Sequence, residues 1–463
     1  MDYVIEKRLD EDMLSNDFEY FFSFLTDRFE YATELWKIEL EKKFNKKFMP
    51  IWILSAKPSE LFQKENYIII NKELTQIKNK LKSNNIVYLQ DYEDLNKEFL
   101  ESDSIKELMC NLINKQDRLF VLPFTTSFLN ISHPKAIVLG PKAEIATFFD
   151  DKAEHIKLFE KLDLPRNNVR IYKKVEDIKK SESYPLWVSA SYTSGANESQ
   201  IVYLDYDLDS FFLRLREINK TKELLVANFI TDIFLSPNVN AVICGEKDTR
   251  VICITNQILR GLNYLGNIYP SDVNEEQKKR IIDATKSIGD YLSKLGYRGL
   301  FGLDFIITSK GELFTTDLNP RRQGGYLCNV LMSKKVNIPE IELKLALGEK
   351  VPEFDYNDFQ VNFVWAHSKV KPYFYNIRIL NSIKEGEPKN PFNTIGTCFK
   401  AIFYPENTLV IDGNVGYVIL SSNENNNLAK QDIIKCVEIM LSKNFELYPG
   451  FSIPHKETAK LPS

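Results

Sequence analysis

Residues 301–325 read Phe301-Gly-Leu-Asp-Phe-Ile-Ile-Thr-Ser-Lys-Gly-Glu-Leu-Phe-Thr-Thr-Asp-Leu-Asn-Pro-Arg-Arg-Gln-Gly-Gly325. Two largely apolar runs flank the polar segment Ser309-Lys310-Gly311-Glu312, which is the composition of a β-hairpin closed by a short loop. If Thr308 pairs with Leu313, the same register sets Asp304 opposite Asp317, with Cβ atoms about 5 Å apart. Carboxylates that close repel each other unless a cation sits between them. Asn319 follows Asp317 by two and faces the same way on a strand, so the set offers oxygen ligands suited to magnesium. Arg321 and Arg322 come next, and guanidinium matches the geometry of phosphate and carboxylate. An Asp-x-Asn by itself fits the wet face of any hairpin; the whole ordered set points to a metal and phosphate site.

Gly302-Leu-Asp-Phe, a hairpin turn, then Asp317-Leu-Asn-Pro-Arg-Arg-Gln and Gly-Gly resembles the metal-binding motif of the ATP-grasp superfamily. Matching parts lie upstream in the family's order. Leu139-Gly140-Pro141 followed by Asp150-Asp151-Lys152 and a helix ending at Leu162-Asp163-Leu164-Pro165 is similar to the family's Asp-Lys helix, which implies that Lys152 reaches the ATP phosphates. Pro185 to Asn197 resembles the strand and small-residue loop that fold over the phosphates. Thr193, Ser194 and Gly195 offer backbone amides with little bulk, as close approach to a polyphosphate requires. Leu224 to Ile230 resembles the hinge whose backbone holds adenine, which assigns Asn228 and Ile230. Two positions depart from the pattern: Ser189 stands where a second lysine is usual, and Ala227 where an acidic residue is common. The resemblance covers residues 136–330.

Working outward, residues 12–45 repeat apolar positions at helical spacing (Phe18, Phe21, Phe22, Leu25, Phe29, Trp36), which predicts one long amphipathic helix. Short apolar runs at Met49–Leu54, Tyr67–Ile70, Ile86–Leu89, Leu119–Pro123 and Ala136–Leu139 predict the buried strands of a parallel α/β layer. From residue 165 the strands come closer together, at Val169–Tyr172, Leu186–Ala190, Ile201–Leu204 and Leu224–Val226, with a helix at Ser210–Arg216, so antiparallel pairing is expected. A third group holds Ala241–Cys244, Val251–Asn256, a helix at Glu275–Leu295, Gly299–Ile307 and Leu313–Leu318. The tail holds strands near Val361–Ala366, Cys398–Phe403 and Val415–Ser421 and a helix at Leu428–Leu441. The expected architecture is α/β (α+β), an ATP-grasp fold with four parts: an N-terminal α/β domain (1–140), a subdomain with the phosphate loop (141–228), a catalytic subdomain with the metal site (229–350) and a C-terminal α+β extension (351–463).

A net charge of −4 with both signs interspersed lacks the basic footprint of nucleic-acid or anionic-membrane binding, so neither partner is expected. The first residues, Met1 to Glu6, are acidic where a secretory leader starts basic, and no stretch of about 20 residues is apolar; a cytoplasmic protein is the expectation. Six scattered cysteines without a CxxC, and four histidines without HExxH, argue against zinc. Asp205-Tyr-Asp-Leu-Asp-Ser210 lacks the Gly and Glu of a calcium loop, with Ser210 and Arg216 in their places, and reads as a helix N-terminus. Neither GxxxxGK[ST] nor GxGxxG occurs.

The resemblance therefore implies a ligase forming C–N bonds. ATP and Mg2+, with Mn2+ as a substitute, would activate a carboxylate as an acyl phosphate for attack by an amine. The metal falls to Asp304, Asp317 and Asn319, the nucleotide to Lys152, Thr193, Ser194, Gly195, Asn228 and Ile230, and catalysis to Arg321, with Arg322 toward the carboxylate substrate. The substrates are small carboxylates and amines, amino acids or peptides in specialised metabolism, and a homodimer is compatible with this. Two alternatives stay open: transfer to the thiol of a carrier protein, and a nucleotide-binding protein without turnover, the latter supported by Ser189 and Ala227.

Overall fold

The computed structural model describes residues 3–9, 17–25, 30–56, 66–74, 86–87, 92–192, 198–218, 223–260, 262–326, 329–330, 333, 335–359, 361, 364–369, 377–379, 384–385, 398–401, 408–410, 418–443 and 445–447. Parts of expected elements at 12–16, 26–29, 88–89, 362–363, 402–403 and 415–417 lie outside them, as do Thr193, Ser194 and Gly195.

The first layer contains strands β1 (Val4–Arg8), β2 (Phe18–Ser23), β3 (Lys47–Leu54) and β4 (Tyr67–Ile70). A short β5 (Ile86–Val87) follows, then β6 (Leu119–Leu122) and β7 (Ala136–Val138). Six of these form a sheet ordered β1-β4-β3-β2-β6-β7, parallel except for the edge strand β1. The long helix expected over 12–45 is corrected here: Phe18–Ser23 is a strand, and a helix occupies only Glu30–Phe44. Strand β2 lies inside the sheet between β3 and β6, buried on both faces. Its apolar residues therefore run almost without interruption, and such a run does not reveal its own period. Phe21 packs with Trp36, Leu40, Phe48 and Phe120 on one face; Phe22 packs with Ile51, Ile53, Leu95 and Phe99 on the other. The expected membership of Ile86 in this layer is also corrected, because β5 pairs instead with a strand from the far end of the chain.

The second sheet is antiparallel, ordered β10-β9-β11-β8, from β8 (Arg170–Tyr172), β9 (Leu186–Ala190), β10 (Ser199–Val202) and β11 (Leu224–Asn228). Helices Val175–Ser181 and Asp205–Ile218 pack Ile178, Leu208, Phe211 and Leu215 onto Val188 and Val226.

The third sheet carries the hairpin. Strands β12 (Pro237–Gly245), β13 (Asp248–Arg260), β14 (Asn263–Tyr269), β15 (Gly299–Ile307) and β16 (Leu313–Asn319) are joined by β17 (Val364–Lys369), β19 (Lys384–Glu385), β20 (Cys398–Ala401) and β22 (Val418–Asn423) in the order β16-β15-β12-β13-β14-β17-β22-β20-β19. Residues from the tail thus continue the same sheet as the hairpin. The remaining strands, β18 (Ile377–Ile379), β21 (Leu409–Val410) and β23 (Phe445–Leu447), form a small sheet with β5. Helix Glu275–Lys294 starts at a capping box of Asn274 and Gln277 and lays Ile281, Ile288 and Leu292 on Val239, Ala241 and Phe301. Each such side chain contributes about 1.5–3 kcal/mol on full burial.

Hairpin register departs from expectation at the loop and returns to it at the site. Leu313 pairs with Ile307, not Thr308, and Phe305 pairs with Thr315. Thr316 is then an extra residue, a bulge whose hydroxyl donates to Asp304 O at 3.0 Å, and beyond it Asp304 stands opposite Asp317.

Candidate active site

Asp317 meets the start of helix Lys152–Lys161. Lys152 Nζ donates to Asp317 Oδ2 at 2.8 Å, and His155, one turn on, brings Nδ1 to 3.0 Å from Oδ1. Asp151 caps this helix by accepting from Ala153 N at 2.9 Å, so the positive end of its dipole also faces the carboxylate. Burial pushes Asp317 up, but Lys152 and His155 together more than offset this and hold the group well below the usual carboxylate range. Burial and the facing Asp317 carboxylate push Asp304 up to about 6.

His155 was not among the residues expected at the site; its signal in the sequence is a Lys-x-x-His spacing that places both side chains on one helical face. It is buried, and Nε2 contacts the Phe149 carbonyl, which can only accept, so Nε2 carries a proton. Nδ1 then lies 3.3 Å from Leu318 N and 3.0 Å from Asp317 Oδ1. Apart from that ring nitrogen, the buried Oδ1 meets no donor among the described residues.

Asp304 is held by neutral amides. Asn238 Nδ2 and Gln323 Nε2 donate to Oδ1, the latter at 3.4 Å, and Asn319 Nδ2 donates to Oδ2 at 3.2 Å. Asn238 Oδ1 in turn accepts from Asn240, Thr255 and Asn267 at 3.3, 3.3 and 3.4 Å, which fixes its amide nitrogen toward Asp304. The Gln323 carboxamide lies on Gly302: a Cβ there would stand 1.8 Å from Gln323 Cδ. Gly302→Ala is accordingly expected to cost about 1–3 kcal/mol, measured as a lower urea midpoint; an unchanged midpoint would contradict this contact.

These donors fit a hard divalent cation. Two facing carboxylates and an amide oxygen are all-oxygen ligands, and the buried Asp317 Oδ1 meets no donor but the His155 ring nitrogen among the described residues. Among the described residues no three His, Cys, Asp or Glu side chains form a cage by themselves. That suits an ion bound through one or two carboxylates and completed by substrate phosphates.

Arg321 lies beside Asp150, with its Nε 3.9 Å from Asp150 Oδ1 and its guanidinium 5.6 Å from the centre of the Phe124 ring. Burial pushes Asp150 up, and Arg321 and the Ser127 hydroxyl pull it back. Arg322 does not join it, which corrects the pairing of the two arginines. Its buried guanidinium donates to the carbonyls of Pro123 and Leu139 and to Glu342 Oε1 at 2.5 Å, while Tyr326 donates to Glu342 Oε2 at 2.6 Å. Arg322 is committed to the interior beside the Trp36 and Tyr326 rings.

Lys152 N–H donates to Ser191 O at 2.7 Å, so the chain leads toward residues 193–195 from beside Lys152. Ser189 is buried with its hydroxyl on Ser199 Oγ at 2.8 Å and supplies no cation. Asn228 ends β11, where its carbonyl accepts from Asn167 at 2.9 Å, and Ile230 follows. No hydrogen bond or ion pair among the described residues joins either to the carboxylates.

Residues 150–325 match the ATP-grasp domain family. Over 100 residues the chain is 34% identical to L-propargylglycine–L-glutamate ligase of Streptantibioticus cattleyicolor, covering 22% of this chain and 20% of that protein. It is 28% identical over 255 residues to the C-terminal section of the carbamoyl phosphate synthase large chain of Methanocaldococcus jannaschii, covering 52% and 39%. The chain thus spans well under half the length of these curated relatives. Among solved structures, the Campylobacter jejuni biotin carboxylase β-γ-ATP complex superposes with a TM-score of 0.64 at 13% identity, covering 93% of this chain and 92% of that one, a likeness of fold alone. With the ordered motifs and the matched domain in agreement, residues 150–325 form an ATP-grasp domain, and the chain as a whole shares the fold of that solved structure.

Proposed function

We propose that this protein joins a carboxylate to an amine at the expense of ATP, releasing ADP and phosphate. The observation that carries the reading is the Asp304–Asp317 pair across the hairpin, with Lys152 bonded to one member. Asp304, Asp317 and Asn319 would hold Mg2+, or Mn2+ in its place; when bound there it neutralises charge between phosphate oxygens. Lys152 adds a fixed positive charge for the phosphates. Thr193, Ser194 and Gly195 would cover them, and the backbone at Asn228 and Ile230 would hold adenine. A substrate carboxylate oxygen attacks the γ-phosphorus and ADP leaves. The amine then attacks the acyl carbon, and phosphate departs with the electrons of the C–O bond. Arg321 orients the carboxylate and donates to the oxyanion of the tetrahedral intermediate. The reaction is mostly positioning and electrostatics, so it needs no protein nucleophile. The amino-acid reading draws support from the Streptantibioticus relative, an L-propargylglycine–L-glutamate ligase.

The test is ADP and phosphate release with pairs of amino acids; ATP binding without turnover for any pair would defeat the ligase assignment. Arg321→Ala is expected to lower product formation about 100- to 1,000-fold with MgATP affinity nearly unchanged. Loss of nucleotide affinity alone would contradict the role given to Arg321.

A further inference from the structure

Arg321 and Asp150 face each other without satisfying each other. Nε and Oδ1 are 3.9 Å apart, beyond hydrogen-bond reach, although the side chains are only 18% and 11% exposed. Among the described residues the guanidinium makes one hydrogen bond, to Arg322 O at 3.2 Å, and the carboxylate accepts one, from the Ser127 hydroxyl. Each has several further donor or acceptor positions. The Tyr192 hydroxyl is buried without a partner among the described residues, and after burial itself the Asp150 charge is the next influence pushing that phenol up. Phe124, beneath Arg321, stacks on Tyr92 at 4.4 Å and supplies an apolar wall.

We propose that the Arg321–Asp150 pair takes a free α-amino acid as the carboxylate substrate, its carboxylate on Arg321, its ammonium on Asp150 and its side chain against Phe124 and Tyr92. The proposal rests on the ligase reading above and names the substrate class for it. A plain monocarboxylate would pair with Arg321 while bringing a second negative charge beside Asp150, and like charges at that range repel. A zwitterion supplies a donor cation and an acceptor anion on one carbon, complements both protein charges and adds no net charge to a partly dry site.

The experiment measures phosphate release with each proteinogenic L-amino acid in the presence of hydroxylamine as a common nucleophile. For the best one it then uses the des-amino and N-acetyl counterparts, with MgATP affinity measured in parallel by calorimetry. The wild-type protein should favour the amino acid over both counterparts by about 100-fold in kcat/KM. Asp150→Asn should raise KM for the amino acid by a similar factor and shrink the preference to within about tenfold, leaving MgATP affinity within about threefold. Counterparts accepted as well as the amino acid, or a preference that survives Asp150→Asn, would overturn the assignment. A wild-type protein that fails to bind MgATP, or that binds it and turns over no carboxylate, would sink the ligase reading itself and this assignment with it. The wild-type substrate series needs no variant, so it decides the matter even if Asp150→Asn folds poorly.

Discussion

Asp317→Ala should lower product formation by about 1,000-fold or more while the protein stays folded. Asp317 lies opposite Asp304 at the end of a bulged ribbon and is bonded to Lys152, so its loss removes half of the carboxylate pair and the anchor of the phosphate-side lysine together. The structural cost is small for two reasons. The substitution relieves the like-charge contact that pushes Asp304 up, and the Lys152 side chain, 19% exposed, can recover some water contact. Steady-state phosphate release and Mn2+ titration in the presence of ATP should both collapse while the circular dichroism spectrum is retained. Turnover near the wild-type rate would remove the basis of the metal assignment.

Glu342→Ala should be among the most destabilising single changes in the chain, by roughly 3–5 kcal/mol, because it strands the Arg322 guanidinium in the interior. That guanidinium also holds the Pro123 and Leu139 carbonyls at the ends of two strands of the first sheet and lies against the Trp36 and Tyr326 rings. The pair therefore ties the first layer, the exit of the hairpin and helix Ile338–Ala346 into one unit. Removing both charges at once, as Arg322→Met with Glu342→Leu, should recover most of the loss, since two apolar residues of similar volume need no partner. Urea unfolding of the three variants distinguishes the cases. A Glu342→Ala midpoint close to wild type would show that the buried pair is not what holds these elements together.

Some of this was legible in the residue order because the governing interactions are local. The hairpin is one chain reversal, its side chains alternate with period two, and Asp304 and Asp317 are only 13 positions apart, so the register follows from turn and pattern. Even there two errors cancelled: the loop closes one residue earlier than expected and the Thr316 bulge restores the pairing. Strand β14 escaped notice because Asn263-Tyr-Leu-Gly-Asn-Ile-Tyr269 mixes turn-forming residues into a strand that pairs on both edges.

Sequence alone determined the order of the chemical parts: an acid-rich hairpin with arginines at its exit, a lysine at a helix start and a small-residue loop between them. Spacing within a few residues sets those features. Tertiary structure alone decided which of two adjacent arginines is buried on Glu342 and which stands beside Asp150, that His155 stands at Asp317, and that β2 is a strand. A guanidinium, an imidazole or an apolar run takes its role from the groups it packs against, and here those groups lie from about 20 to nearly 200 residues away along the chain.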